Sequence, residues 1–310
     1  AKIAELHKLG EAAIITELTT VAPYVTAWLS LKTEYGRNLE VAKIIKSVFV
    51  EEMLHMSLAA NFINSVGGTV NLTSMALLPQ YPTPLGSGTF FDLMPAFYLR
   101  VLLFTSMLES CTQMNALNGS NASPTIFTGN VEWQVNMDAW HNPEDQTDSN
   151  NDSLEGSASI PISLLYTPLF PIVNLQNAVE AVIEIVYQGE GGSQCTPFVT
   201  DPTKENPNPE KSHYYRFLEI AHQKEIVKMN VPNGWNAGAA IPLNEDGVWP
   251  LVKNPQNGMY KENTKAWKLN LEFNRIYTTL LKCLQVSFGG NPSLIQGCYS
   301  YMYQLTGGGQ

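Results

Sequence analysis

A short apolar stretch of the chain, from Val48 to Met56, contains two carboxylates and one imidazole. Because its other residues leave little room for a polar face, we expect the helix that they predict to be buried. A buried carboxylate has to be paired with a cation, protonated or bound to a metal ion. Glu52 and His55 are three positions apart, so their side chains share one face of the helix. A Glu-x-x-His pair inside a helical bundle is typical of one half of a di-iron or di-manganese carboxylate site.

A second Glu-x-x-His pair occurs downstream, at Glu210 and His213. The chain has only five histidines, and the two pairs use two of them. Glu210 would also suit the first turn of a helix as an ordinary acidic residue, because the helix dipole favours negative charge there. A rival pair, Glu219 and His222, follows on the same predicted helix. Helical geometry alone does not decide between the last two pairs.

A carboxylate-bridged site of this class also needs one glutamate from each of two further helices. Glu17 fits the first position, because it is the single acid in the apolar run from Ala12 to Leu18. Glu190 fits the second position, and Glu180 and Glu184 on the same predicted helix compete with it. The order Glu, Glu-x-x-His, Glu, Glu-x-x-His therefore predicts two halves of one metal site.

Several blocks of the sequence resemble the ferritin-like domain of the iminophenyl-pyruvate dimer synthase family. The blocks run in the family's order, and they are Thr20–Tyr24, Val50–Met56, Gln188–Gly191, Ser212–Phe217, Gly247–Pro250 and Phe288–Pro292. The chain departs from the family pattern between about Leu108 and Pro161, where it is long and polar.

The resemblance implies one set of metal ligands. They are Glu17, Glu52, His55, Glu190, Glu210 and His213. It favours Glu190 over Glu184, and the Glu210 pair over the Glu219 pair. Carboxylate and imidazole donors suit iron or manganese better than zinc, so we expect one or two ions of iron or manganese.

Together with the helical segments, the resemblance implies an all-α fold: a ferritin-like four-helix bundle with extra C-terminal helices and long polar loops. We expect a single domain over residues 1–310, with a divergent loop-rich insertion around 111–165. The helices are predicted at 3–32 (kinked at Pro23), 39–66 (closed by Gly67 and Gly68), 92–110, 173–188, 210–228, 265–286 and 292–305. Residues 231–258 are predicted as a wrapping loop, and we expect part of the polar tract at 119–158 to pack down through its tryptophans.

Two functions are compatible with these patterns. The first is a non-haem metal oxidoreductase that acts on a small amino-acid-derived or aromatic molecule. The second is a binding protein that uses the bundle to hold a small molecule or pigment without turnover.

Tyr24 is a candidate hydrogen-bond donor near the site, although buried tyrosines are more often part of the core. Arg216 would either bind a substrate carboxylate bidentately or pair with a glutamate behind the metal.

Composition restricts the partners. The formal net charge of −10 argues against nucleic acids and anionic membranes, which are bound by clustered Lys and Arg. A membrane span is not expected, because no apolar run approaches about 20 residues without a charge or a helix breaker. We expect a small-molecule partner, and assembly into a homo-oligomer stays open.

The cysteines and glycosylation sequons indicate whether the protein is secreted or cytoplasmic. The four cysteines, Cys111, Cys195, Cys283 and Cys298, show no CxxC spacing, so a thiolate metal site is not expected. Cys283 and Cys298 flank a turn near the C-terminus and are the most plausible disulfide pair. Sequons at Asn71, Asn118, Asn121 and Asn151, together with the even cysteine count, favour a secreted glycoprotein slightly over a cytoplasmic protein.

Overall fold

In a computed structural model, the structure describes residues 2–73, 106, 126–136, 169–190, 211–228, 235–252 and 255–307. Six α-helices make up most of these described residues. The helices are α1 Lys2–Leu29, α2 Leu39–Ser65, α3 Leu175–Glu190, α4 His213–His222, α5 Lys265–Phe288 and α6 Ile295–Gly307. Two short strands, β1 Lys224–Lys228 and β2 Trp235–Ala240, form an antiparallel pair. The predicted all-α architecture is confirmed, and the predicted helix at 92–110 lies outside the described residues except for Ser106.

Helix α2 is the centre of the fold. Every residue from Val48 to Ser65 is buried, as expected for a segment that is apolar on most of its sides. Helix α1 packs along α2, and α3, α4 and α5 each contact α2 as well. The carboxylates and the histidine of α2 therefore lie in the interior, where they need partners from the neighbouring helices.

A glycine pair ends α2, as predicted. Gly67 has a φ of +73°, in the left-handed region that glycine adopts without a steric penalty. The N–H of Gly68 donates to the carbonyl of Ile63 at 2.9 Å, which satisfies one of the last carbonyls of the helix.

The fourth helix is shorter than predicted. We expected a helix over 210–228, but α4 ends at His222 and β1 follows from Lys224. Gln223 takes a left-handed conformation with a φ of 52°, which turns the chain out of the helix. The Glu219 carboxylate accepts the N–H of Ile226 at 2.7 Å, and the β-branched residues of β1 favour an extended chain. The expected loop at 231–258 contains the partner strand β2.

Two loop segments are fixed to α2 by asparagine side chains. Asn61 brackets Val135: its amide donates to the carbonyl at 2.6 Å, and its oxygen accepts the N–H at 2.8 Å. Asn38 donates to the carbonyl of Gly247 at 2.9 Å, in the loop after β2. The polar tract thus packs down at 126–136, and the rest of the predicted insertion at 111–165 lies outside the described residues.

The C-terminal helices α5 and α6 pack against each other and are cross-linked. Thr264 caps α5 by accepting the N–H of Trp267, and the helix ends at Gly289. The predicted Cys283–Cys298 disulfide is present, with the two Cα atoms 5.4 Å apart. Cys111 and Cys195 lie outside the described residues, as do the sequons at Asn118, Asn121 and Asn151.

Helix α1 is long and apolar enough to cross a membrane by length and composition, although we expected no such segment. It is the one such helix in the described part of the chain. Within the fold, 56% of its most apolar window is buried, as in the core helix of a bundle.

Candidate metal centre

Three residues with metal-binding side chains meet at the centre of the bundle. Glu52 and His55 come from the middle of α2, and His213 is the first residue of α4. One ligand atom from each of the three lies within 4.8 Å of the other two. All three side chains are fully buried, so water competes little for their donor atoms.

The His213 ring lies between two carboxylates of α2. Its Nδ1 is 2.7 Å from Oε1 of Glu52, and its Nε2 is 2.8 Å from Oε2 of Glu51. Burial by itself lowers the pKa of this imidazole, but the two carboxylates outweigh it and the pKa of His213 is raised. In the absence of a metal ion, the two carboxylates therefore favour the protonated form of His213, whose positive charge offsets the negative charge of Glu52.

The His55 ring has the same orientation as His213 and is stacked near it. Its Nδ1 is 3.8 Å from Oε2 of Glu17 and 3.9 Å from Oε2 of Glu52, whereas its Nε2 is 2.8 Å from Oε1 of Gln188. The centroids of the two imidazoles are 5.3 Å apart, and the ring planes are inclined by 24°. Both histidines thus turn Nδ1 toward the carboxylates and Nε2 toward an outer partner.

Helix α1 contributes Glu17 and Thr20, which are one turn apart and share a face. Glu17 is fully buried. The Thr20 hydroxyl is 2.9 Å from Oε2 of Glu52 and 2.8 Å from the carbonyl of Glu17. The hydroxyl therefore helps to fix the position of the Glu52 carboxylate against the first helix.

Behind His213, Glu51 forms an ion pair with Arg216. Arg216 Nη1 is 2.7 Å from Oε1 of Glu51 and 3.0 Å from the hydroxyl of Ser47, and its Nε donates to the carbonyl of Lys211 at 2.7 Å. Burial raises the pKa of Glu51, but Arg216 and His213 outweigh burial and the pKa is lowered. Of the two roles foreseen for Arg216, the structure shows the pairing with a glutamate behind the site.

Of the remaining predicted site residues, two have side chains that the structure does not describe, and Tyr24 lies in the core. Glu210 lies outside the described residues. Glu190 is the last residue of α3, and the structure describes its backbone but not its side chain. Tyr24 is buried and packs on Phe217 of α4, with the ring centroids 5.0 Å apart. The structure therefore brings Glu17, Glu52, His55 and His213 together, and it leaves the other two predicted ligands as predictions.

The alternative ligands from the sequence lie outside the Glu52–His55–His213 cluster. Glu219 accepts hydrogen bonds from Lys211 and from the N–H of Ile226 in β1, and His222 is exposed at the end of α4. Glu180 is exposed and bonds to Gln176 on its own helix. Glu184 is half-buried, one turn before Gln188.

Sequence reasoning missed three residues that hold the site: Glu51, Thr20 and Gln188. Glu51 had a usable signal, because it is a second acid inside a segment that is apolar on most of its sides. Thr20 lies three positions after Glu17, and Gln188 lies two before Glu190, but neither spacing indicates a bond to another helix. Their roles follow from the packing of α1 and α3 onto α2.

The Glu and His donors of this cluster could hold a metal ion. Metal-bound histidines typically present one nitrogen to the ion and donate the other N–H to an outer acceptor. His55 and His213 both have this arrangement, with Gln188 and Glu51 as acceptors. Buried carboxylates next to these imidazoles would supply oxygen ligands and negative charge to a bound cation.

A family model described as ferritin-like matches residues 11–222. The match covers more than half of the chain and includes α2, α3, α4 and the part of α1 that carries Glu17. No curated protein and no solved structure matches the chain.

Proposed function

The chain belongs to the ferritin-like family, and we propose that it is a non-haem metal oxidoreductase that acts on a small amino-acid-derived or aromatic molecule. The observation that carries the proposal is the convergence of Glu52, His55 and His213, whose ligand atoms lie within 4.8 Å of one another in a fully buried site. A site that served stability alone would be better filled with apolar residues, because each buried, uncompensated charge costs several kcal/mol.

We propose that a metal ion would be held by buried carboxylates of α1 and α2 together with the two histidines. Glu17, Glu52, His55 and His213 would hold it, and Glu190 and Glu210 are proposed to complete the set. When bound, one or two ions of iron or manganese would remove electrons from a bound organic molecule or activate dioxygen or peroxide. Thr20 holds Glu52, and the fully buried side chains keep bulk water away from the ligands.

The substrate class rests on the motifs. The Val50–Met56, Gln188–Gly191 and Ser212–Phe217 blocks resemble those of the iminophenyl-pyruvate dimer synthase family. That likeness supports a small amino-acid-derived or aromatic substrate. Because one fold hosts many reactions, it supports the class of substrate and not one molecule.

The test compares two buried glutamates. Glu52→Gln keeps the size of the side chain but removes the charge of a proposed ligand. Glu219→Gln makes the same change at a glutamate that is also buried, with 3% exposure, but lies away from the site. Metal content is measured by mass spectrometry after purification without added metal, together with oxidase and peroxidase turnover and the circular dichroism spectrum. We expect Glu52→Gln to lose metal and turnover with its helix content intact, and Glu219→Gln to keep its metal.

A metal-free wild-type protein that carries a tightly bound organic ligand would contradict the proposal. The carboxylates would then be ligand contacts, and the protein would be a binding protein built on the same bundle.

A further inference from the structure

The two histidines of the centre are held in the same way but by partners of different charge. In each ring Nδ1 faces the carboxylates and Nε2 faces outward. The acceptor behind His213 is the Glu51 carboxylate at 2.8 Å, and the acceptor behind His55 is the Gln188 amide oxygen, also at 2.8 Å. The two outer hydrogen bonds thus have the same length, and their acceptors differ in charge.

Charge on the outer acceptor changes the donor strength of a histidine. A hydrogen bond from an imidazole N–H to a carboxylate is shorter and stronger than one to a neutral oxygen. It draws the proton away from the ring, which leaves more electron density on the nitrogen that faces the metal. His213 should therefore bind a cation more strongly than His55.

Glu51 is well placed for this role because a buried arginine pairs with it and prevents it from turning inward. Its second oxygen, Oε1, is 2.7 Å from Nη1 of Arg216, and the carboxylate is 2% exposed. Arg216 is fixed in turn by the carbonyl of Lys211 and the hydroxyl of Ser47. Both Glu51 oxygens thus have partners, and Glu51 and Glu52 bond to opposite nitrogens of the His213 ring.

We infer that Glu51 is a positioning residue that makes His213 the stronger of the two histidine ligands. The inference rests on the proposed function, since it needs a metal site between the helices. It adds that the outer partner of His213 contributes more to metal affinity than the outer partner of His55 does.

The experiment titrates metal-depleted protein with Co²⁺, which gives absorption and paramagnetic NMR signals. Glu51→Gln removes the charge and keeps an acceptor oxygen, and Gln188→Ala removes the neutral partner. We expect Glu51→Gln to lower Co²⁺ affinity by about 10- to 100-fold, and Gln188→Ala to lower it by a smaller factor. Because Glu51→Gln leaves Arg216 without its ion partner, the double variant Glu51→Gln with Arg216→Met is measured as well, and the same loss is expected.

A spectroscopic signature separates positioning from a general loss of structure. In the Co²⁺ protein, the imidazole N–H protons of the two histidines should give two shifted, exchangeable resonances. Glu51→Gln is expected to move one of them, and Gln188→Ala the other. Equal affinity losses, or both variants moving the same resonance, would overturn the inference and leave the metal site standing. Wild-type protein that takes up no Co²⁺ would overturn the inference and the proposed function together.

Discussion

Replacing Arg216 with methionine should destabilise the metal-free protein strongly, because it leaves a buried carboxylate without its cation. Arg216 is 7% exposed and Glu51 is 2% exposed, so solvent screens the pair little. At the 2.7 Å separation of Nη1 and Oε1, an effective dielectric constant of about 20 gives an attraction of about 6 kcal/mol. Desolvation offsets part of this attraction, and removing one partner of such a pair typically costs about 3–5 kcal/mol.

The assay is urea denaturation of the metal-free protein, followed by circular dichroism, with two comparison variants. The double variant Glu51→Gln with Arg216→Met removes both charges, so it should recover most of the loss. Arg275→Met breaks the exposed Arg275–Glu272 pair, whose side chains are 63% and 47% exposed, and it should cost far less stability because solvent screens the pair. If Arg216→Met and Arg275→Met lose the same stability, the Glu51–Arg216 pair is not the buried, mutually dependent unit that we describe.

Two further predictions concern the ends of the bundle. Loss of the Cys283–Cys298 disulfide, with a sequence separation of 15 residues, should lower the free energy of unfolding by about 3 kcal/mol. This is measured by denaturation of the Cys283→Ser, Cys298→Ser variant, and four free thiols in the native protein by mass spectrometry would show that the bond does not form. In α3, Glu190→Gln should reduce metal uptake while Glu184→Gln keeps it, as the sequence resemblance implies. The reverse order in metal analysis would move the third-helix ligand to Glu184.

Much of the fold could be predicted because local patterns determine it. The buried stretch of α2 follows from its apolar sequence, and its end follows from Gly67 and Gly68. The boundary between α4 and β1 was missed. Lys224–Lys228 follows the helical segment without a proline or glycine, and the Glu219 carboxylate that caps the strand is positioned only by the tertiary fold. Helical spacing describes one helix at a time and carries no information about such a contact.

The same limit applies to the site. Spacing on one helix was enough to pair Glu52 with His55, and the family resemblance favoured His213 over His222. The outer partners were not predictable in the same way. Gln188 is 133 positions from His55, so the bond between them depends on how α3 packs against α2. Sequence therefore predicted the residues of the candidate cluster better than the residues that bond to them from other helices.

The most direct test of the metal centre is an anomalous-difference map from a crystal of the protein grown with Mn²⁺, measured where manganese scatters anomalously. We predict a peak within about 2.0–2.4 Å of Glu52, His55 and His213, by comparison with other divalent sites. His213 Nδ1 should then contact the ion in place of the Glu52 carboxylate. A map without a peak there, in which His213 still bonds directly to Glu52, would contradict the assignment of this cluster as a metal site.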